Sequence, residues 1–221
     1  MGWLLNSLNS SIGKKFVMAV TGVCLLTFLI IHFIGNMTLY VGEEAFNGYV
    51  GILHKILPLI RVIEVILALV FIFHIFNGVR LWYQNKKAKP IGYAVNAASK
   101  NSTLFSRTMF VTGSITFIFL FLHLQTIWYK FNFGGNGLEQ NLYYIVVDWF
   151  RVPWYSIGYV VAMFLLGMHL NHGFQSAFQT FGWNHKKYTP FIKALGTIYS
   201  IIMAAGFASL PIYFLFIYGG K

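Results

Sequence analysis

Charge is scarce in this chain of 221 residues: only 10% of it is Asp, Glu, Lys or Arg, and five residues in all are acidic. A soluble domain of this size carries about a quarter charged residues, so a water-facing globule is excluded. Cysteine is scarcer still. Cys24 stands alone, which rules out an internal disulfide and a four-thiolate iron–sulfur cluster within the chain. It reads as a small packing residue. Ten-residue segments of alternating hydrophobicity are also missing, which argues against an outer-membrane barrel.

What remains is apolar: 57% of the chain is hydrophobic and 19% aromatic. Five long apolar segments lie at about 16–40, 58–82, 106–129, 154–180 and 191–218. Each holds the ~20 residues that a helix needs to cross the hydrocarbon. They predict an all-α integral membrane protein, a bundle of five transmembrane helices in a single domain over 1–221. Residues 1–13, with Trp3, Leu4, Leu5, Leu8 and Ile12 among polar residues, read as an N-terminal interfacial segment. The apolar run after Lys15 is too long for a cleaved signal peptide. Phe46, Tyr49, Val50 and Leu53 recur at helical spacing in the connection after the first span, which predicts a second interfacial helix. The connection after the third span opens on a Gly-Gly-Asn-Gly turn and continues as an amphipathic piece ending at Trp149 and Phe150.

The formal net charge is +11, but its distribution does not point to nucleic acid. Lys14, Lys15, Arg80, Lys86, Lys87, Lys89, Lys100, Arg107, Lys186, Lys187 and Lys193 all flank one side of a five-span topology. The other side holds Lys55, Arg61, Lys130, Arg151 and Lys221 together with Glu43, Glu44, Glu139 and Asp148. By the positive-inside rule the N-terminus is cytoplasmic and the C-terminus outside. Most of these charges serve topology, and the basic face also suits anionic membrane lipid or an acidic partner.

The chain repeats itself. Met18-Ala19-Val20-Thr21-Gly22 precedes His32, and Met109-Phe110-Val111-Thr112-Gly113 precedes His123, each time with fourteen residues from Met to His. His74-x-x-Asn77-Gly78 in the second span matches His169-x-x-His172-Gly173 in the fourth. Spans 1–2 and 3–4 therefore form an internal two-helix repeat, and the fifth closes the bundle. Ionisable residues at membrane depth are expensive and are read as functional by default. Spans 1 and 3 run outward with His32 and His123 late, in the outer half. Spans 2 and 4 run inward with His74 and His169 late, in the inner half. The result is two histidine pairs at two depths, His32 with His123 and His74 with His169, each able to supply both axial ligands of one haem. With no Cys-x-x-Cys-His motif, such a haem is held noncovalently, as b-type.

Gly22 and Gly113 precede their histidines by ten residues, ~15 Å along a helix, which sets them near the depth of the inner pair. Gly78 and Gly173 follow His74 and His169 by about one turn. All four are positions where missing side-chain bulk leaves clearance for a porphyrin edge. His172 takes the place of Asn77 in the repeat; His169 is read as ligand and His172 as its neighbour, with the reverse assignment open because residues three apart share much of a helix face. His54 and His185 fall outside the apolar segments and read as interfacial or solvated.

These motifs together resemble the five-helix, dihaem cytochrome b membrane subunit of succinate:quinone oxidoreductases and fumarate reductases (complex II). The resemblance extends over nearly the whole chain. It rests on Gly13-Lys14-Lys15 leading into Met18–Gly22, on His32-Phe33-Ile34-Gly35-Asn36, on Ala45-Phe46-Asn47-Gly48-Tyr49, on His74-x-x-x-Gly78, on His123 and on His169-x-x-x-Gly173. It implies an anchor of succinate dehydrogenase in the cytoplasmic (inner) membrane of a prokaryote, acting in the respiratory chain and tricarboxylic acid cycle. It implies two haems b, with His32 and His123 on the outer and His74 and His169 on the inner, and a bound quinone, of which menaquinone fits a transfer across the membrane. A flavoprotein with covalent FAD and an iron–sulfur protein, both on the cytoplasmic side, would carry the dicarboxylate site and the clusters. A higher oligomer of the complex is compatible with this arrangement.

Quinone chemistry needs protons, and Glu64 is the only acidic residue within a span. It reads either as a proton relay for a quinone near the outer haem or as a partner of Arg61 that anchors the helix end. Rival readings are fumarate reductase, the same machinery in reverse, a dihaem anchor for another quinone-linked dehydrogenase or hydrogenase, and a haem-free transporter or proton channel. The paucity of membrane acids and of broken-helix signals counts against the last.

Overall fold

The computed structural model describes residues 2–88, 98–134 and 141–218. Lys89, Glu139, Lys221 and most of the Gly-Gly-Asn-Gly turn lie outside the described residues. Among the described residues the secondary structure is entirely helical. Five helices are long and apolar enough to cross a membrane: Ser11–Tyr40, Leu57–Lys87, Met109–Phe133, Pro153–Thr180 and Thr189–Ile217. Alternate helices run in opposite directions, so the chain is a multi-pass up-and-down bundle. Span 2 extends past Arg80 to Lys87, because its polar tail prolongs the helix into the interface instead of ending it where the apolar run stops.

Local signals set the helix starts. Ser10 caps the first span by accepting from the Gly13 amide at 3.0 Å, and prolines stand in the first turn of spans 2, 4 and 5, where no intrahelical N–H partner is lost. Helix Gly2–Asn9 leads into span 1. At this basic end of the first hairpin, Lys14 Nζ donates to Gln84 Oε1 at 2.7 Å and Arg80 donates to Asn9.

The best-packed region lies at the opposite end. Helices Glu43–Lys55 and Leu142–Phe150 cap the bundle there, and Leu39, Phe46, Tyr143, Val147, Phe150, Tyr159, Met163 and Phe214 are all buried together. A polar clasp joins the two capping helices. Glu43 accepts from Asn141 Nδ2 and from the Tyr144 hydroxyl at 2.6 Å, while Asn47 donates to Asn141 Oδ1 at 2.8 Å. The Glu43 carboxylate, by accepting this hydrogen bond, holds the proton on the Tyr144 phenol and raises its pKa above the ordinary value.

Span 5 packs along span 4 through close approaches. A Cβ on Gly167 would come within 2.8 Å of the Ala204 methyl, and one on Gly196 within 2.8 Å of the Phe174 ring, the small-residue contact that brings membrane helices together. Asn171 donates to Thr197 and Ser200 across the same seam, and the Tyr199 hydroxyl donates to the Leu26 carbonyl of span 1. Span 2, by contrast, buries only Asn77 and presents Val62, Ile66, Ile72, Phe73 and Phe76 outward. So continuous an apolar surface belongs in lipid or against a partner.

Three spans depart from α-helix near their ends: span 1 tightens to a 3-10 turn over Thr38–Tyr40, and spans 3 and 5 widen. Leu124–Tyr129 and Tyr213–Ile217 are π-helical. Pro211 precedes the second, where it interrupts the i→i−4 ladder of span 5. The first begins directly after His123 and carries no proline or glycine, so no sequence signal announces it.

Candidate haem sites

The up-and-down order brings the four spans of the repeat together so that histidines from different hairpins meet at two levels. Toward the capped end, His32 of span 1 and His123 of span 3 face each other with ring centroids 5.9 Å apart and planes at 87°. Toward the basic end, His74 of span 2 and His169 of span 4 stand 6.4 Å apart at 71°. All four are half-buried.

Aromatic side chains enclose the capped-end pair. Phe28 stacks on His32 at 5.3 Å and Phe207 lies 5.7 Å from it, while Phe119 stacks on His123 at 5.5 Å with Tyr159 at 6.3 Å. Phe28 and Phe119 precede their histidines by four residues, which places them on the same helix face. His123 Nδ1 is buried without a hydrogen-bond partner.

The basic-end pair rests against the Thr-Gly steps of the repeat. A Cβ on Gly22 would meet His74 Cε1 at 3.6 Å, and one on Gly113 would meet His169 Cε1 at 3.1 Å and Nδ1 at 3.4 Å. The clearance made by Gly78 and Gly173 is taken by methionine: Met18 Cε lies 3.4 Å from a Cβ built on Gly78, and Met109 Cε 3.9 Å from one on Gly173. The repeat in sequence is thus a repeat in contacts, glycine against histidine and methionine against glycine in each hairpin. Thr21 Oγ1 lies 3.1 Å from His74 Nδ1, whereas His169 Nδ1 is buried with no partner.

Whether these residues suit haem can be judged on their spacing. Two metal–imidazole bonds of about 2 Å each, plus about 1 Å from each nitrogen to its ring centre, separate the centroids of two axial ligands by about 6 Å. The observed 5.9 and 6.4 Å agree with that figure. Among the described residues no three His, Cys, Asp or Glu side chains converge as metal ligands. The histidines meet in twos, the number that a porphyrin leaves to the protein. Buried ring nitrogens without partners at both levels are a further feature of sites where a polar group awaits a ligand. His172 is half-buried one turn from His169, and it is His169 that lies across from His74. In the matching position of the first hairpin, Asn77 Nδ2 donates to the Lys14 carbonyl at 2.7 Å.

Glu64 sits in a polar cluster between spans 2 and 3, toward the capped end. Arg61 Nη1 pairs with its Oε2 at 2.7 Å, and Trp128 Nε1 donates to its Oε1 at 3.1 Å. Arg61 Nη2 donates to Asn132 Oδ1 at 2.5 Å, and Asn132 Nδ2 to the Trp128 carbonyl. Sequence reasoning did not find Trp128 or Asn132. Trp128 lies within the π-turn, which displaces side chains from the helical register used to assign faces.

One comparison with known proteins bears on this arrangement. Residues 16–97 match the family of succinate dehydrogenase/fumarate reductase transmembrane subunits. The matched stretch contains the first hairpin, with His32, His74, Gly22 and Gly78, and the connection after it. The second hairpin lies beyond it and repeats its motifs. No curated protein and no solved structure matches the chain.

Proposed function

We propose that the chain is the membrane cytochrome b subunit of a succinate:quinone oxidoreductase, holding two haems b through His32–His123 and His74–His169. The observation that carries this reading is the meeting of histidines from separate hairpins at two levels, each pair at the spacing of two axial ligands. The family match over the first hairpin supports the enzyme class and takes in both directions, succinate oxidation and fumarate reduction. A bound haem supplies one-electron exchange between the soluble partners and quinone. The chain's own residues do the rest. Each histidine pair clamps between hairpins and so fixes their relative position. Phe28, Phe119 and Phe207 keep water from the capped-end pair.

The basic end is the docking side for a flavoprotein with covalent FAD and an iron–sulfur protein; by the positive-inside rule it is cytoplasmic, in the inner membrane of a prokaryote. The chain's single cysteine leaves clusters to those partners. With quinone taken at the capped end, charge crosses the bilayer at ~2.3 kcal/mol per 100 mV, which suits a quinone of low potential such as menaquinone. Purification from native membranes is expected to bring both partners and succinate-dependent quinone reduction. Copurification with a hydrogenase or formate dehydrogenase instead would reject the assignment.

Glu64, its two oxygens positioned by Arg61 and Trp128, relays to the capped end the proton that quinone reduction consumes. In Glu64→Gln the haem content is expected to stay normal while quinone turnover falls on the order of 10²-fold, the contribution of a positioned acid. Near-normal turnover would leave Glu64 as no more than the partner of Arg61.

A further inference from the structure

The two Thr-Gly steps of the repeat are identical in sequence, yet only one of them bonds to an imidazole. Thr21 Oγ1 donates to the Val17 carbonyl at 2.8 Å, with the Met18 carbonyl at 3.1 Å. A threonine hydroxyl has one proton, and this one is committed to the backbone. Toward His74 Nδ1, 3.1 Å away, the oxygen is left with lone pairs alone. The ring nitrogen must therefore be the donor, Nδ1–H to Oγ1. A neutral imidazole with its proton on Nδ1 has its lone pair on Nε2. Gly22 lies beside Cε1 of the same ring, so the Nδ1–Cε1 edge faces span 1 and Nε2 is the nitrogen left to bind metal.

On the other side, Thr112 Oγ1 donates to the Met109 carbonyl at 3.1 Å and makes no bond to His169; the acceptor beside that imidazole is the same Met109 carbonyl. The same edge of His169 faces its glycine, Gly113. The pair is thus symmetric in placement, but only His74 meets the oxygen of its threonine.

We infer that Thr21 is a positioning residue that fixes the metal-binding tautomer of His74 and sets the redox potential of the basic-end haem; this rests on the haem reading above. A ligand histidine whose N–H is held by an acceptor is more basic. Greater ligand basicity favours the higher-charged ferric iron, so the Thr21 bond lowers the potential at the site nearer the soluble partners. Thr112 carries no such role.

The test is a potentiometric titration of both haems in the intact complex, followed by absorption, in Thr21→Val, Thr21→Ser and Thr112→Val. Valine keeps the methyl and loses the oxygen; serine does the reverse. Thr21→Val is expected to raise the midpoint of the basic-end haem by up to a tenfold change in ferric-over-ferrous preference, or 59 mV for a one-electron couple, with the other haem unmoved. Thr21→Ser and Thr112→Val are expected to leave both potentials in place. Unchanged potentials in Thr21→Val at full haem content would overturn the inference. Should Thr21→Val lose the basic-end haem, retention at the normal potential in Thr21→Ser supports the tautomer role, while loss in both variants assigns Thr21 to packing and overturns it. A colourless wild-type complex would overturn the haem reading itself, and this inference with it.

Discussion

His169→Ala is expected to leave the assembled complex with one haem of two, its spectrum reduced to the component held at the capped end. His74 would keep its bond to Thr21 but would face an alanine where the second clamp had been. A b-type haem has no covalent tether, so the loss of one of two axial bonds removes a large part of what retains it. The capped-end pair, enclosed by Phe28, Phe119 and Phe207, shares no ligand with the other and should hold its haem. The companion variant His172→Ala separates the two candidates on span 4. It is expected to retain both haems, since His169 and not His172 faces His74. Haem-to-protein ratios on the purified complex provide the readout. Loss of haem in His172→Ala with full content in His169→Ala would transfer the ligand role.

The second large effect is expected at Gly113. A methyl there would sit 3.1 Å from His169 Cε1, whereas one on Gly22 would sit 3.6 Å from His74 Cε1. The latter is ordinary contact; the former requires the His169 ring to move by a few tenths of an ångström. Gly22→Ala should therefore keep both haems, a result that would also remove the porphyrin-clearance role expected of Gly22, and gain slightly in helix stability, by up to about 1 kcal/mol. Gly113→Ala should weaken the basic-end haem, and Gly113→Val, with two further carbons against the ring, should abolish it. Both bulky variants are read against thermal stability of the assembled complex, which separates haem loss from unfolding. Equal tolerance at the two glycines would contradict the close approach on which the difference rests.

Much of this was legible in the chain itself, for identifiable physical reasons. Spans show because about twenty apolar residues in a row have few other uses. The meeting of His32 with His123 and of His74 with His169 follows from depth alone once the directions of travel are known, and the repeat makes those depths agree. Other features are not written in any local pattern. The bond between Thr21 and His74 joins residues 53 apart, and the identical Thr112-Gly113 step does not make its counterpart. Trp128 and Asn132 reach the Glu64–Arg61 pair beside a π-turn, where an angle of 100° per residue no longer assigns faces correctly. The helical tail from Arg80 to Lys87 escapes a hydropathy reading because a helix need not end where the bilayer does.

The central claim is that two pairs of histidines hold two iron porphyrins at different depths of one bundle. Haem quantification on the purified complex, with its reduced-minus-oxidised spectrum, tests it most directly. Two noncovalent haems b per chain are predicted, falling to none when His32, His74, His123 and His169 are all replaced by alanine in a complex that still assembles. A colourless wild-type protein, or undiminished pigment after the fourfold replacement, would contradict it.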